Sequence, residues 1–453
     1  MTNRRDALKS AALLPLAGLP FAASAAPALS GVPIAGHFTH EAVRLWVQAT
    51  EEAKATVRYW PANSAEPEAA SLALALDKAS GHCAIAEIAG LMAATSYRYR
   101  VTLDSGASVA GIFRTTPAPG STPRDFRVYM GSCAYTETYT RGGNPYGANH
   151  QVFDTIAGAM RADAMPHFML WLGDNLYLRG PSETFKQPAE YSTAAHMDLR
   201  YREVRAQLQL RRLFAATHHY AIWDDHDYGP DNGDRSFTLK EDSLRLFRAY
   251  WPNPAMGSAG LPGTWCSFRH QDAEFFLLDD RFNRDAEKAQ PDPAKAMYGL
   301  AQMAWLKRSL AASKATFKLV AGGSQFLSAG KNGEHSGWHS YPGERDDFLA
   351  FLDKERIPGV ALLSGDRHNT QFFSHKAGGT TLNEFSCSPL TSKVGKVGKA
   401  ELENPRRDPE CSVETQNYGT LEFSGEGSAR KVTARCFDAD GKLLWTRVLA
   451  TAA

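Results

Sequence analysis

The segment AIWDDHDYGPDN, Ala221 to Asn232, places four carboxylates (Asp224, Asp225, Asp227, Asp231) around His226, directly after an apolar run. Carboxylates this close repel one another, and burying them is costly unless positive charge stands opposite. Three further segments follow apolar runs in the same way. GDNLY supplies Asp174 and, three residues on, Tyr177. SGDRHN supplies Asp366 and His368, and GSC supplies Cys133. Carboxylate, imidazole, thiolate and phenolate are all metal-ligand types. His226 can also donate or accept a proton near neutral pH.

Each segment taken singly also has a structural reading. Asp174 fits a helix N-cap with Tyr177 packed behind it. Asp366 and His368 fit a hydrogen-bonded pair, and WDDHD fits an exposed acidic loop. In an extended strand Asp225 and Asp227 would share one face and Asp224 and His226 the other, although a turn is expected there. Cys133 fits a small buried filler, a nucleophile or a thiolate ligand. A papain-like nucleophile would want Cys-Gly-Ser-Cys and then an aromatic. Met130 and Ala134 occupy those two anchors instead.

The elements that must position these groups follow from hydropathy. After Arg124, apolar strand-like runs alternate with helical patterns. DFRVYMGSC precedes a helix expected over His150 to Arg161, and HFMLWLGD precedes one over His196 to Phe214. HHYAIWDDHD precedes Thr238 to Trp251, and EFFLLDDR precedes Leu300 to Ala312. FKLVAGGS precedes Glu344 to Glu355, and GVALLSGDRH follows. This alternation predicts an α/β fold. Cys133, Asp174, Asp224 to Asp227, Asp280 and Asp366 to His368 then sit at strand ends, where open α/β sheets bind ligands. The tail (TLEFSGEG, KVTARCFD, LLWTRVLA) returns to strand alternation and is expected to complete a sheet. Residues 31–118 differ: AVRLWVQA, ATVRYWP, CAIAEIAGL and SYRYRVTLDS are short alternating strands, as in a small antiparallel sandwich. GIFRTTPAPGSTPRD reads as the linker to a second domain, 124–453.

The chain has 453 residues, 43% hydrophobic and 22% charged, with a net charge of +1. That balance carries no nucleic-acid or anionic-membrane signature. Arg4-Arg5, an apolar stretch and Ala23-Ser24-Ala25 read as a signal peptide over residues 1–25, of the twin-arginine type. No later run approaches the ~20 apolar residues of a membrane span. A soluble, exported protein, periplasmic or secreted, is therefore expected, with the twin-arginine machinery as its export partner. Export would permit disulfides, but the six scattered cysteines do not reveal a pairing. No GxxxxGK[ST] loop is present, which argues against an NTP-binding P-loop.

In their joint order, GSC, GDxxY, WDDHD and SGDRH resemble the PhoD-like alkaline phosphatase family, within the calcineurin-like metallophosphoesterases. LLDDR (277–281), LAQMAWLKRSL (300–310) and NEFSCSPLTS (383–392) extend the resemblance over nearly the whole mature chain. The resemblance implies a four-layered α/β/β/α catalytic domain preceded by an immunoglobulin/fibronectin-like β-sandwich. It implies ferric iron and calcium as cofactors, with zinc or manganese as alternatives. Cys133, Asp174 and Tyr177 would bind iron, and Asp174 would bridge to a second ion. Asp225, Asp366 and His368 would complete the metal shell, with His226 catalytic. Arg281 would contact phosphate, or else form a salt bridge to Asp279 or Asp280. The implied reaction is hydrolysis of phosphate esters, small-molecule, lipid or polymeric, by attack of a metal-bound hydroxide on phosphorus. Two alternatives are a phosphodiesterase or phospholipase on the same fold, and an exported calcium-binding recognition module.

Overall fold

The computed structural model describes residues 26–136, 147, 149–178, 192–258, 260–287, 292, 294–330, 337–377 and 379–452. The expected signal segment lies outside them, as do most of the polar loops 137–150 and 179–196. Among the described residues no helix is long and apolar enough to cross a membrane.

Alternation builds the N-terminal region. Ser96–Leu103 buries every second residue, and Ala53–Pro61 does so from Ala53 to Val57, as a strand with one face on a core must. Strands from Ile34 to Arg114 make a three-stranded and a four-stranded antiparallel sheet. Val43, Leu45, Val47, Val57, Val101 and Phe113 from the two sheets share one hydrophobic cluster. This region packs closely on the rest of the chain. His37 N donates to Pro252 O at 2.7 Å, and Gln48 Nε2 donates to Tyr250 Oη at 2.9 Å.

The remainder is a mixed α/β fold around two six-stranded sheets. In the first, Phe126–Gly131, His167–Leu172 and His218–Ile222 run parallel. The tail strands Asn417–Ser424, Lys431–Asp438 and Leu443–Thr451 complete it antiparallel, as their alternation predicts. In the second, Ala273–Leu277, Phe317–Ala321, Val360–Ser364 and Thr380–Ser386 run parallel, flanked by antiparallel edge strands Cys266–His270 and Gln371–Ala377.

Strand residues are apolar on both faces. Val128, Leu170 and Ile222 of the first sheet cluster with Phe275, Leu319 and Leu363 of the second. Their alternates Tyr129, Met169, Trp171 and Ala221 pack with Val152 and Ile156 of the helix Gln151–Ala162 and with Leu213 and Phe247. Phe276, Val320 and Leu362 pack with Leu306 of the helix Leu300–Ala312 and Phe348 of the helix Pro342–Glu355. The helix expected over His196 to Phe214 is two helices, Ala194–Ala206 and Leu208–Phe214, broken where Gln207 adopts extended backbone.

Candidate metal centre

Register brings the candidate ligands to one edge. In the first sheet Gly131 pairs with Trp171, and Leu172 with Ile222. Cys133, Asp174 and Asp224 each lie two residues past the last residue of their strand. In the second sheet Ser364 pairs with Ser386, and Asp366 and Ser388 lie two residues past them. Parallel strands therefore deliver their following residues side by side.

The backbone there is constrained. Cys133, Asp174, Asp366 and His368 all have positive φ, between 52° and 71°. Non-glycine residues seldom adopt this left-handed conformation, and it clusters at functional sites where the surrounding structure holds it. Gly173 makes the close approach possible: a Cβ there would stand 2.7 Å from Asp224 Cβ.

Two groups of ligand atoms result, each within 4.8 Å mutually: Cys133, Asp174 and His368, and Asp174, Asp225 and His226. Asp174 belongs to both, as a bridging carboxylate must. Cys133 Sγ lies 3.4 Å from Asp174 Oδ2. Tyr177 Oη lies 3.3 Å from the same oxygen and 3.2 Å from His368 Nε2. Asp366 joins neither group, although its charge raises the Asp174 and Cys133 pKa values.

The turn after Ile222 is helical, so the extended alternation does not apply. Asp225–Tyr228 forms one helical turn with Asp224 as N-cap, and Asp224 Oδ1 accepts from Asp225 N. Asp227 is structural: its two oxygens accept from Asn175 N and Asp224 N, both at 3.0 Å. The His226 ring lies on the Tyr177 ring at 4.2 Å between centroids. Its Nε2 is 3.7 Å from Asp231 Oδ1.

Arg281 does not present an open phosphate contact. Its side chain is wholly buried, and its Nε donates to Asp224 Oδ1 at 2.6 Å. The salt bridge is therefore chiefly to Asp224, with Asp280 farther away at 3.8 Å. Asp279 instead accepts from the backbone N of Arg281. The four serines and threonines of NEFSCSPLTS carry no distinctive ligand chemistry, yet two of them reach candidate ligands. Ser388 Oγ donates to Cys133 Sγ at 3.1 Å, and Ser392 Oγ lies 3.2 Å from His368 Nε2. The quoted motif was the available signal. All six cysteines are free and buried, so export-linked pairing has no counterpart here.

The electrostatics fit cations. Burial, then Asp225, Asp227 and Asp366, push the Asp174 carboxyl well above the usual range. Burial does the same to Asp224, against the opposing pull of Arg281. Asp224 Oδ2 is buried with no hydrogen-bond partner among the described residues. One guanidinium, Arg281, faces Asp224, Asp225, Asp280 and Asp366, which leaves negative charge in excess. Thiol, phenol, imidazole and carboxylates gathered around a shared Asp174 are side-chain types able to hold cations.

The fold is mixed α/β, with these ligand-type side chains gathered at the carboxyl edge of its sheets. The profile of the PhoD-like phosphatase family matches residues 138–434. The chain belongs to that family. Alkaline phosphatase D of Bacillus subtilis (strain 168) is 24% identical over 327 residues, covering 63% of this chain and 53% of the relative. The match thus spans about half of that relative's length. Among solved structures, one described as the structure of PhoD superposes with a TM-score of 0.73 at 18% identity, covering 93% of this chain and 92% of the other. Purple acid phosphatase PPD1 from yellow lupin (Lupinus luteus) seeds gives 0.65 at 12% identity, covering 93% and 74%. These two likenesses show the shared fold.

Proposed function

We propose that this chain is an exported, metal-dependent phosphoric ester hydrolase. The observation that carries the reading is Asp174 shared between two ligand groups at the carboxyl edge of the sheets. Cys133, Asp174, Tyr177 and His368 would hold one cation. Asp174 and Asp225 would hold the second, with Asp366 beside them. Bound cations would neutralise the ester's charge, acidify a water and align attacking and leaving oxygens.

The chain's own residues supply the rest. Tyr177 stacks on His226 and fixes its ring plane, with Asp231 Oδ1 3.7 Å from its Nε2. His226 can then pass a proton to the leaving oxygen. Ser388 supports the Cys133 thiolate by its hydrogen bond. Thiolate and phenolate suit ferric iron, and carboxylate oxygens suit calcium. Arg281 acts behind the site by restraining Asp224.

The same reading takes residues 31–118 as a β-sandwich and 124–453 as a four-layered α/β/β/α domain. The shared cluster between sheets and the two outer helix-lined clusters support it. Arg4-Arg5 and Ala23-Ser24-Ala25 support export by the twin-arginine route.

The test is turnover of model phosphate monoesters and diesters by purified, metal-loaded protein. Phosphate release that chelators stop and added metal restores is expected. Metal-loaded protein that hydrolyses no phosphate ester would contradict the reading and favour a recognition module.

A further inference from the structure

A cavity with a largely apolar lining and a basic rim lies away from the metal edge, where the N-terminal sheets meet the α/β fold. It measures about 130 Å³ and is lined by Phe38, Arg114, Arg124, His167, His218 and His270, among others. That is well above the room one water needs.

His270 is the residue that needs an explanation. It is 4% exposed, and neither ring nitrogen has a hydrogen-bond partner among the described residues. Phe126, Phe38 and Phe168 surround its ring at centroid distances of 4.6, 5.2 and 5.2 Å. A buried polar group left unmet this way is rare in folded proteins.

Charge at the cavity is one-sided. Arg114 and Arg124 are exposed at its rim, and neither guanidinium makes an ion pair among the described residues. The nearby acids are engaged elsewhere: Asp163 with Arg127, and Asp125 and Asp272 with Arg430. The cavity thus offers donors without a resident counter-anion.

His218 is already satisfied. Its Nδ1 pairs with Gly36 O and its Nε2 accepts from Arg114 N, both at 2.9 Å. In His167, Nδ1 donates to Met165 O at 2.9 Å, which leaves Nε2 as an acceptor. Two guanidinia and the His270 N–H as donors, with the other His270 nitrogen and His167 Nε2 as acceptors, match an oxyanion that keeps a hydroxyl proton.

We propose that this cavity is a second binding site, for a protonated tetrahedral oxyanion of the inorganic phosphate class, held by Arg114, Arg124 and His270. The proposal stands apart from the reaction assigned to the metal edge.

The probe is inorganic phosphate, titrated calorimetrically into full-length Asp174→Asn protein, whose metal edge is disabled. One phosphate per chain is expected to bind. Arg114→Gln/Arg124→Gln in the same background should weaken it at least tenfold. His270→Phe, which keeps the aromatic packing, should weaken it without loss of the folding transition. Crystals soaked in arsenate should show anomalous density against His270, whereas selenate, which carries no hydroxyl at neutral pH, should not. Phosphate binding unchanged in the double-arginine variant, or absent in the Asp174→Asn protein, overturns the proposal. Equal density for selenate overturns the assigned role of the hydroxyl, and only a water at His270 overturns the site.

Discussion

Arg281 Nε lies 2.6 Å from Asp224 Oδ1, and both side chains are buried behind the metal edge. Asp224 caps the turn that carries Asp225 and His226, so this ion pair fixes the turn as well as balancing a charge. Removing one member of a buried pair strands the other, at a cost of roughly 3–5 kcal/mol. Arg281→Met is expected to lose that much in urea denaturation. Arg281→Met/Asp224→Asn should recover most of it. Equal losses in the single and double variants would show that the pair is not the source.

The Tyr177 hydroxyl lies within 3.3 Å of both Asp174 and His368. A phenolate bound to ferric iron absorbs visible light. The iron-loaded protein should therefore be coloured, and Tyr177→Phe should bleach it while the fold persists by circular dichroism. A band unchanged in Tyr177→Phe would remove this residue from the ligand set.

Gly173 combines φ of 87° with a Cβ position 2.7 Å from Asp224 Cβ. Gly173→Ala adds both strain and a clash, costing at least about 1–3 kcal/mol. Metal content and thermal midpoint should fall together. Wild-type values for both would mean the turn can shift without loss.

His218, His219 and His270 are each held down to about 3, chiefly by burial. The unfolded chain takes up a proton at each as pH falls through the ordinary histidine range near 6.5, and the folded chain does not until about 3. Unfolding is then favoured by acid. Their stabilising contribution is fully present above about 6.5 and is lost as pH falls towards 3. Each proton contributes a slope of about 1.4 kcal/mol per pH unit, so the three give roughly 4 near pH 5. His270→Phe should reduce the slope by about 1.4 kcal/mol per pH unit near pH 5, as read from urea midpoints across pH 4 to 6.5. An unchanged slope would show that His270 is not buried neutral.

Much of this was legible because strand ends carry unusual residues. Cys133, Asp174, Asp225 and His368 follow apolar runs, and parallel register within each sheet together with packing of the two sheets brings them together. Six of the parallel strands were visible as continuous apolar runs, since both faces are covered, whereas Thr380–Ser386 (TTLNEFS) was not, because it begins with exposed threonines and carries Asn383 and Glu384. The edge strands Cys266–His270 and Gln371–Ala377 were not, because polar residues such as Ser267, Arg269, Ser374 and Lys376 interrupt their apolar pattern. Gln207 broke a helix where the periodicity ran on, since tertiary packing overrides a weak propensity there. Arg281 was read against its sequence neighbours Asp279 and Asp280, but its partner lies 57 residues away on another strand end. Ser388 and Ser392 contact the ligands through long-range folding, and a hydroxyl in a loop carries no distinctive local signal.

Whether Asp174 joins two cations is tested most directly by the metal content of Asp174→Asn protein. Wild-type protein should bind at least two metal ions per chain and release phosphate from an ester substrate. Asp174→Asn should lose bound metal and reduce turnover by several orders of magnitude while remaining folded. Full metal content with full turnover in Asp174→Asn would contradict the account.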